Sequence, residues 1–310
     1  MSDLTIETGF TKALGIKYPI ILAGMNKASG SRLAAAVTNA GGLGVIGGLG
    51  YTPRILRLTI KNLKKDLKDQ NMFFGVDFPI AKIGDGARKT NYDYQKGKLD
   101  ELVDVIIESA TCKLFVSAIG VPTKAMVDKL HKHGIFVMNM IGHPKHVHKA
   151  CAVGVDALCA QGTEGGGHTG SIPTFILLPK ILDVIKQNNY RSPLTGEPCY
   201  VIGAGGVYNG RGLAMSIMSG CDGVWVGTRF VASTEAAATD AHKKDIVNAT
   251  YEDTMKSEVY SGRPLRMIKN PYAVDWATRR KDEMKQLLES GVIPFKHDFD
   301  LQKGKLKNQS

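Results

Sequence analysis

Short, almost wholly apolar runs alternate along this chain with longer stretches in which leucine, isoleucine and valine recur at helical spacing. The apolar runs lie at 19–24, 43–47, 73–78, 114–119, 136–141, 157–161, 200–205 and 223–227. Continuous rather than alternating hydrophobicity is the pattern of strands buried on both faces, as in a parallel sheet covered by helices. Helical periods fall between them, at 31–39, 53–67, 99–109, 123–132, 144–152, 174–186 and 210–218, with a last one at 235–249. Eight strands, each followed by a helix, predict an α/β fold, a (β/α)8 (TIM) barrel more than an open sheet. Gly41, Gly134, Gly154 and Gly220 each stand between a helix and the next strand, where C-terminal cap glycines belong.

Beyond residue 250 the alternation stops. The segment YSGRPLRMIKNPYAVDW at 260–276 is followed by a charged helical stretch at 277–289. The expected organisation is a barrel over 10–250 and a C-terminal extension over 251–310, one structural unit, with the extension packed over or beside the barrel as a lid or cap.

Composition narrows the function. At 310 residues and 43% hydrophobic the chain can build one barrel with an extension, or two domains. The formal charge of +11 invites a nucleic-acid partner. The basic residues gather, however, on the polar face of 54–68 and in the tail at 303–307, and aromatic content is 7% without basic–aromatic interleaving. A positive field that draws small anionic substrates is the expectation, with no nucleic acid. Cys112, Cys151, Cys159, Cys199 and Cys221 form no C-x-x-C pair, which argues against a disulfide framework or zinc site. No apolar run approaches the roughly 20 residues that span a bilayer, and neither the first residues nor the final KLKNQS match a signal or anchor. A soluble cytoplasmic protein is expected, with organelle import left open and no membrane partner.

In a barrel the chemistry sits just past the strand ends. Those positions hold Gly24-Met25-Asn26, Asp77, Pro79, Gly120, Asn139, 161–168, Gly205-Gly206 and Gly227-Thr228-Arg229. They are rich in glycine and amides and poor in carboxylates, so a bound organic cofactor fits better than metal-assisted hydrolysis. The densest stretch is AQGTEGGGHTG at 160–170. Three glycines let the backbone take positive φ, and His168 adds a side chain that exchanges protons near neutral pH. Glu164 either holds this loop through backbone amides or meets substrate. VIGAGG at 201–206 and VWVGTRF at 224–230 end the last two strands in glycine turns, where barrels grip phosphate with main-chain amides.

Two other patterns mean less. GLGVIG at 42–47 satisfies G-x-G-x-x-G, but a helix precedes it and a strand follows, the reverse of a dinucleotide fingerprint, so close packing is expected. His143, His146 and His148 sit too close along one segment to converge on a metal, and read as solvated helix-end histidines.

Taken together, AGMN (23–26), GVDFP (75–79), AQGTEGGGHTG, GAGGVYNGRG (203–212) and VWVGTRF resemble the nitronate monooxygenases, formerly 2-nitropropane dioxygenases, in order over residues 10–280. The resemblance implies an FMN-dependent TIM barrel. It implies that Ala23, Gly24 and Met25 line the flavin ring and that Gln161 and Gly166 contact FMN. Gly206, with Trp225, Val226, Gly227 and Thr228, would hold the phosphate, and His168 would be catalytic. The resemblance would place Asp77 near the flavin, where relatives often have asparagine, and EGGGH replaces the commoner EAGGH. The implied reaction is oxidation of a small anionic nitronate, such as propionate 3-nitronate, or of a nitroalkane, with O2 to a carbonyl compound and nitrite. Flavin-dependent NAD(P)H reductases of enoyl-ACP or quinone type share this barrel and remain an alternative, as does a non-catalytic flavin-binding protein.

Overall fold

The computed structural model describes residues 5–307; the end of the KLKNQS tail and the side chains from 304 onward lie outside the described residues. Eight parallel strands form the central sheet: β1 Ile20–Leu22, β2 Val45–Gly47, β3 Phe74–Pro79, β4 Cys112–Ala118, β5 Phe136–Ile141, β6 Ala157–Gln161, β8 Tyr200–Ala204 and β9 Gly223–Val226. A two-residue strand, β7 Gly167–His168, intervenes in sequence but belongs elsewhere. Neighbours run β1-β9-β8-β6-β5-β4-β3-β2, all parallel. The ring closes where Leu22 N–H donates to Leu43 O (2.9 Å) and Leu43 N–H to Ile20 O (3.0 Å). This is the (β/α)8 barrel that the alternation predicts.

Strand alternation divides the core in two. Ile21, Val45, Val116, Met138, Cys159 and Ile202 fill the barrel interior. Leu22, Ile46, Val76, Phe115, Val137 and Leu158 face outward onto the helices. The helix Pro53–Asp66 buries Leu56, Ile60 and Leu63 and leaves Lys61 and Lys65 in water. Its basic residues form a solvated face, as the spacing implied. Gly41, Gly134, Gly154 and Gly220 all take positive φ, from 65° to 99°, at the helix ends. The GLGVIG glycines are packing glycines: a Cβ on Gly44 would lie 1.9 Å from Ala34 O, and one on Gly47 2.5 Å from Met25 O.

The bottom of the barrel holds an element the periodicity does not announce. Helix Gly9–Leu14, started by a Thr8–Thr11 capping box, inserts Phe10 and Leu14 into the interior. The Phe10 ring lies 5.1 Å from that of Tyr200 and 6.2 Å from that of Phe136. Asp156, fully buried, is satisfied by Val137 N–H (2.8 Å), Ser192 Oγ (2.6 Å), Leu194 N–H (3.3 Å) and His131 Nε2 (2.8 Å).

Two expected helices change. The period at 235–249 forms a helix only over Asp240–Asn248, which buries no side chain against the barrel. The stretch 277–289 is interrupted: Pro271–Ala277 ends at Thr278, and Lys281–Glu289 begins after Arg280. Arg280 is held in that gap by Asp298 (2.8 Å) and Glu283 (2.6 Å), its guanidinium 3.5 Å above the Trp276 ring.

Residues after 250 supply β10 Thr254–Ser257 and β11 Leu265–Ile268, an antiparallel pair. β11 pairs in turn with β7, setting Leu265 opposite His168 and Arg266 opposite Gly167. Val259, Ala273 and Trp276 make a small separate core beneath this sheet, and the helix Pro294–Lys307 follows.

Candidate active site

The loop after β6 is shaped by its own side chains. Both carboxylate oxygens of Glu164 accept from Thr174 N–H (3.2 and 3.0 Å), and Thr174 Oγ1 lies 2.7 Å from Oε2. Glu164 therefore caps the helix Thr174–Gln187 and closes the loop, the first of the two roles open to it in the sequence. Gln161 Nε2 donates to His168 O (2.8 Å). Gly165 makes that reach possible, because a Cβ there would lie 2.4 Å from Gln161 Nε2.

His168 is fixed from the other side. Its Nε2 lies 2.9 Å from Ser261 Oγ, in the turn between β10 and β11. The Ser261 hydroxyl also has Arg263 O within reach as an acceptor (3.3 Å). The bond to Ser261 forms with either tautomer, Nε2–H donating to the hydroxyl or the hydroxyl donating to Nε2. Crowding of protein atoms lowers the imidazole pKa below its ordinary 6.5, and the nearby Arg263 cation lowers it further. The ring keeps solvent contact at the mouth and is neutral at pH 7.

Three more loop ends meet this one. A Cβ on Gly166 would fall 2.7 Å from Thr228 Oγ1, one on Gly206 3.3 Å from Glu164 Cβ, and one on Gly227 3.4 Å from Ala23 Cβ. Gly205 and Gly206 take φ of +97° and +74°, a left-handed turn that glycine adopts without strain. Among the described residues the N–H groups of Gly206, Gly227 and Thr228 donate to no protein acceptor. Ser29, fully buried, clasps Met25: it accepts from Met25 N–H (2.6 Å) and donates to Met25 O (3.0 Å).

Asp77 faces the interior at the top of β3, directly against the Gly24 backbone; a Cβ on Gly24 would lie 2.2 Å from Asp77 Oδ2. Its Oδ1 is buried without a hydrogen-bond partner among the described residues. Burial raises the carboxyl from 3.8 to about 8, so the neutral acid predominates at pH 7 and can donate a hydrogen bond.

Ala23, Gly24, Met25, Asp77, Gln161, Gly166, His168, Gly206, Gly227 and Thr228 thus line one mouth. Trp225 packs in the interior cluster with Ala23, Val226 packs outward with Val207 and Val224, and Val226 O accepts from Ala23 N–H (2.9 Å). Asn139 is also turned away, donating to Ser117 Oγ (2.6 Å) and Gly120 O (2.7 Å). His143 Nδ1 accepts from Lys145 N–H and His148 meets Tyr190 (2.8 Å), while the His146 ring lies 6.0 Å from that of His143. Sequence reasoning missed Ser29 and the extension's contribution, Ser261, Arg263, Lys256 and Arg266. Lys256 bonds Thr163 Oγ1 and Gly170 O, and Arg266 bonds Thr163 O (3.1 Å) and Thr254 Oγ1 (2.9 Å). Only the pairing of β11 with β7 brings these cations to the mouth.

The architecture has known counterparts. Residues 7–285 match the family described as nitronate monooxygenase. A dehydrogenase of Mycobacterium tuberculosis (strain ATCC 25618 / H37Rv), named for (3aS,4S,5R,7aS)-5-hydroxy-7a-methyl-1-oxo-octahydro-1H-indene-4-carboxyl-CoA, is 33% identical over 86% of this chain. The chain spans 67% of that relative's length. A "Probable nitronate monooxygenase" of Staphylococcus aureus (strain JH9) is 30% identical over 84% of this chain and 78% of its own. The structure of FabK from Thermotoga maritima superposes with a TM-score of 0.74 and 29% identity, covering 94% of this chain and 87% of that one. The chain is an enzyme, an oxidoreductase, and it belongs to the nitronate monooxygenase family.

Proposed function

We propose that this enzyme binds FMN at the mouth of its barrel and oxidises small alkyl nitronates, or their parent nitroalkanes, with O2 to a carbonyl compound and nitrite. The observation that carries the reading is the convergence of a neutral, oriented His168 with the unsatisfied groups of four strand ends. Those groups suit FMN. The N–H groups of Gly206, Gly227 and Thr228 offer donors to a phosphate. The orphaned Asp77 Oδ1 and the bare backbone at Gly24 offer a polar contact and a flat surface to a planar ring. Bound there, the flavin would supply the two-electron redox chemistry.

The remaining work falls to this chain's own residues. In the tautomer that donates Nε2–H to Ser261, Nδ1 of His168 would take the α-proton of a neutral nitroalkane. When a nitronate anion arrives instead, its charge beside the imidazole favours the protonated ring, which then donates to the nitronate oxygens. Gln161 holds the His168 carbonyl and Ser261 the ring, so the base is fixed before substrate binds. The strap formed by β10 and β11 would act as a lid that shields this chemistry from water.

A second reading has its own support. The 33% identity to a carboxyl-CoA dehydrogenase and the likeness to FabK favour a flavin-dependent NAD(P)H reductase or dehydrogenase acting on an acyl thioester. The distinguishing assay is nitrite release from propionate 3-nitronate in air, with His168→Asn as control. The nitronate reading requires nitrite from the wild type and a loss of at least about 100-fold in the variant, with FMN still bound. No nitrite from a flavin-loaded wild type would favour the reductase.

A further inference from the structure

The extension places three cations at the mouth, and among the described residues none of them forms an ion pair. Lys256 and Arg266 have clear structural work, since their donors hold Thr163 and Gly170 in the histidine loop. Arg263 is different. Of its five N–H donors, one reaches Asn91 Oδ1 (2.6 Å) and another meets the Tyr94 side chain. Its guanidinium is half-buried, and that burial lowers its pKa, with Arg88 lowering it further. It nevertheless stays a cation at neutral pH. A partly desolvated cation without a counter-charge is costly, and a ligand that brings an anion removes that cost.

The position is also rigid. Gly262 takes φ of +66°, and its carbonyl accepts from Arg88 Nη1 (3.1 Å), while Arg88 pairs with Glu258 (3.1 Å). The turn bearing Ser261 and Arg263 is thereby fastened to the loop after β3 on one side and to His168 on the other. Arg263 stands between Ser261, whose Oγ is 2.9 Å from His168 Nε2 and 3.3 Å from Arg263 O, and Leu265, which pairs opposite His168, and its charge depresses the basicity of the imidazole.

We propose that Arg263 receives a second oxyanion of the substrate, a carboxylate or a phosphate, and so anchors beside His168 a substrate that carries negative charge away from its reacting carbon. This rests on the mouth at His168 being the reaction site. A planar guanidinium with free donors suits bidentate binding of either group. It also gives the extension a role in choosing substrate as well as covering it.

The test uses the flavin-loaded enzyme and two variants, Arg263→Gln and Arg263→Lys. Flavin absorbance or fluorescence titrations give the Kd of 3-nitropropionate, coenzyme A and 1-nitropropane, none of which requires turnover. Arg263→Gln should weaken whichever anionic probe uses this group by about 10- to 100-fold, with 1-nitropropane within twofold of wild type. Arg263→Lys, keeping charge without the fork, should lose less. Weakening of 3-nitropropionate alone identifies a carboxylate, and weakening of coenzyme A alone a phosphate. Equal affinities for both anions in wild type and Arg263→Gln would overturn the proposal, as would an equal loss for 1-nitropropane. Because binding is read directly, an Arg263-dependent anion site in an enzyme that releases no nitrite sustains this inference while the nitronate reading falls.

Discussion

His168 and Ser261, 93 residues apart in sequence, meet at 2.9 Å between Nε2 and Oγ, and this bond ties the barrel's histidine loop to the C-terminal strap. The strap supplies the hydrogen bond that sets the direction of the ring. Ser261→Ala should therefore lower kcat by about tenfold while changing KM little, because it removes positioning and no substrate contact. Steady-state kinetics check this; a variant that alters only KM would place Ser261 on the substrate instead.

The depressed basicity of His168 sets a pH profile. If the neutral imidazole is the base toward a nitroalkane, as proposed, kcat/KM should be flat at neutral pH and fall on the acid side through a pKa below 6.5. Since Arg263 is one cause of the depression, Arg263→Gln should move that limb upward toward 6.5. An unmoved limb would separate the two residues electrostatically.

Gly165 and Gln161 make a matched pair. Gly165→Ala would put its Cβ 2.4 Å from Gln161 Nε2, so Gln161 must swing away and release His168 O. Activity should drop several-fold with the fold intact, since the clash involves one flexible side chain, Gln161 from Cγ outward, and no backbone atom. Gln161→Ala should reproduce the drop, and the double variant should be no worse than either alone.

These relationships mark where the sequence is readable. The eight barrel strands announce themselves because burial on both faces leaves continuous apolar runs such as VIGA at 201–204. His168 stands out because three glycines and a strand end surround it. The strap does not announce itself. β7 has two residues, β10 and β11 have four each, and β11 is half-buried throughout, so no period develops. Ser261 and Arg263 read as ordinary polar residues until the register of Leu265 opposite His168 carries them to the mouth. Helix Gly9–Leu14 escapes notice for a related reason: six residues are too few to show a helical face.

Asp77 makes stability depend on pH in a direction unusual for a carboxylate. Its folded pKa of about 8 exceeds the unfolded value near 3.8, so the native state binds more protons between those values. Its contribution is fully present below pH 3.8 and is lost as pH rises toward 8, a change on the order of 6 kcal/mol at most. In flavin-stripped protein, Asp77→Asn should flatten this decline and raise stability at pH 8, read by urea unfolding across pH. A parallel decline in the variant would contradict burial as the source.

The central claim is that His168 serves a bound flavin reduced by a nitronate. The direct measurement is anaerobic mixing of the purified flavin-loaded enzyme with propionate 3-nitronate, and separately with NADH and NADPH, following flavin absorbance. The account predicts rapid bleaching by the nitronate, little by either nicotinamide, and bleaching at least about 100-fold slower in His168→Asn. Bleaching by NADH or NADPH with an inert nitronate would contradict it and make the enzyme a reductase.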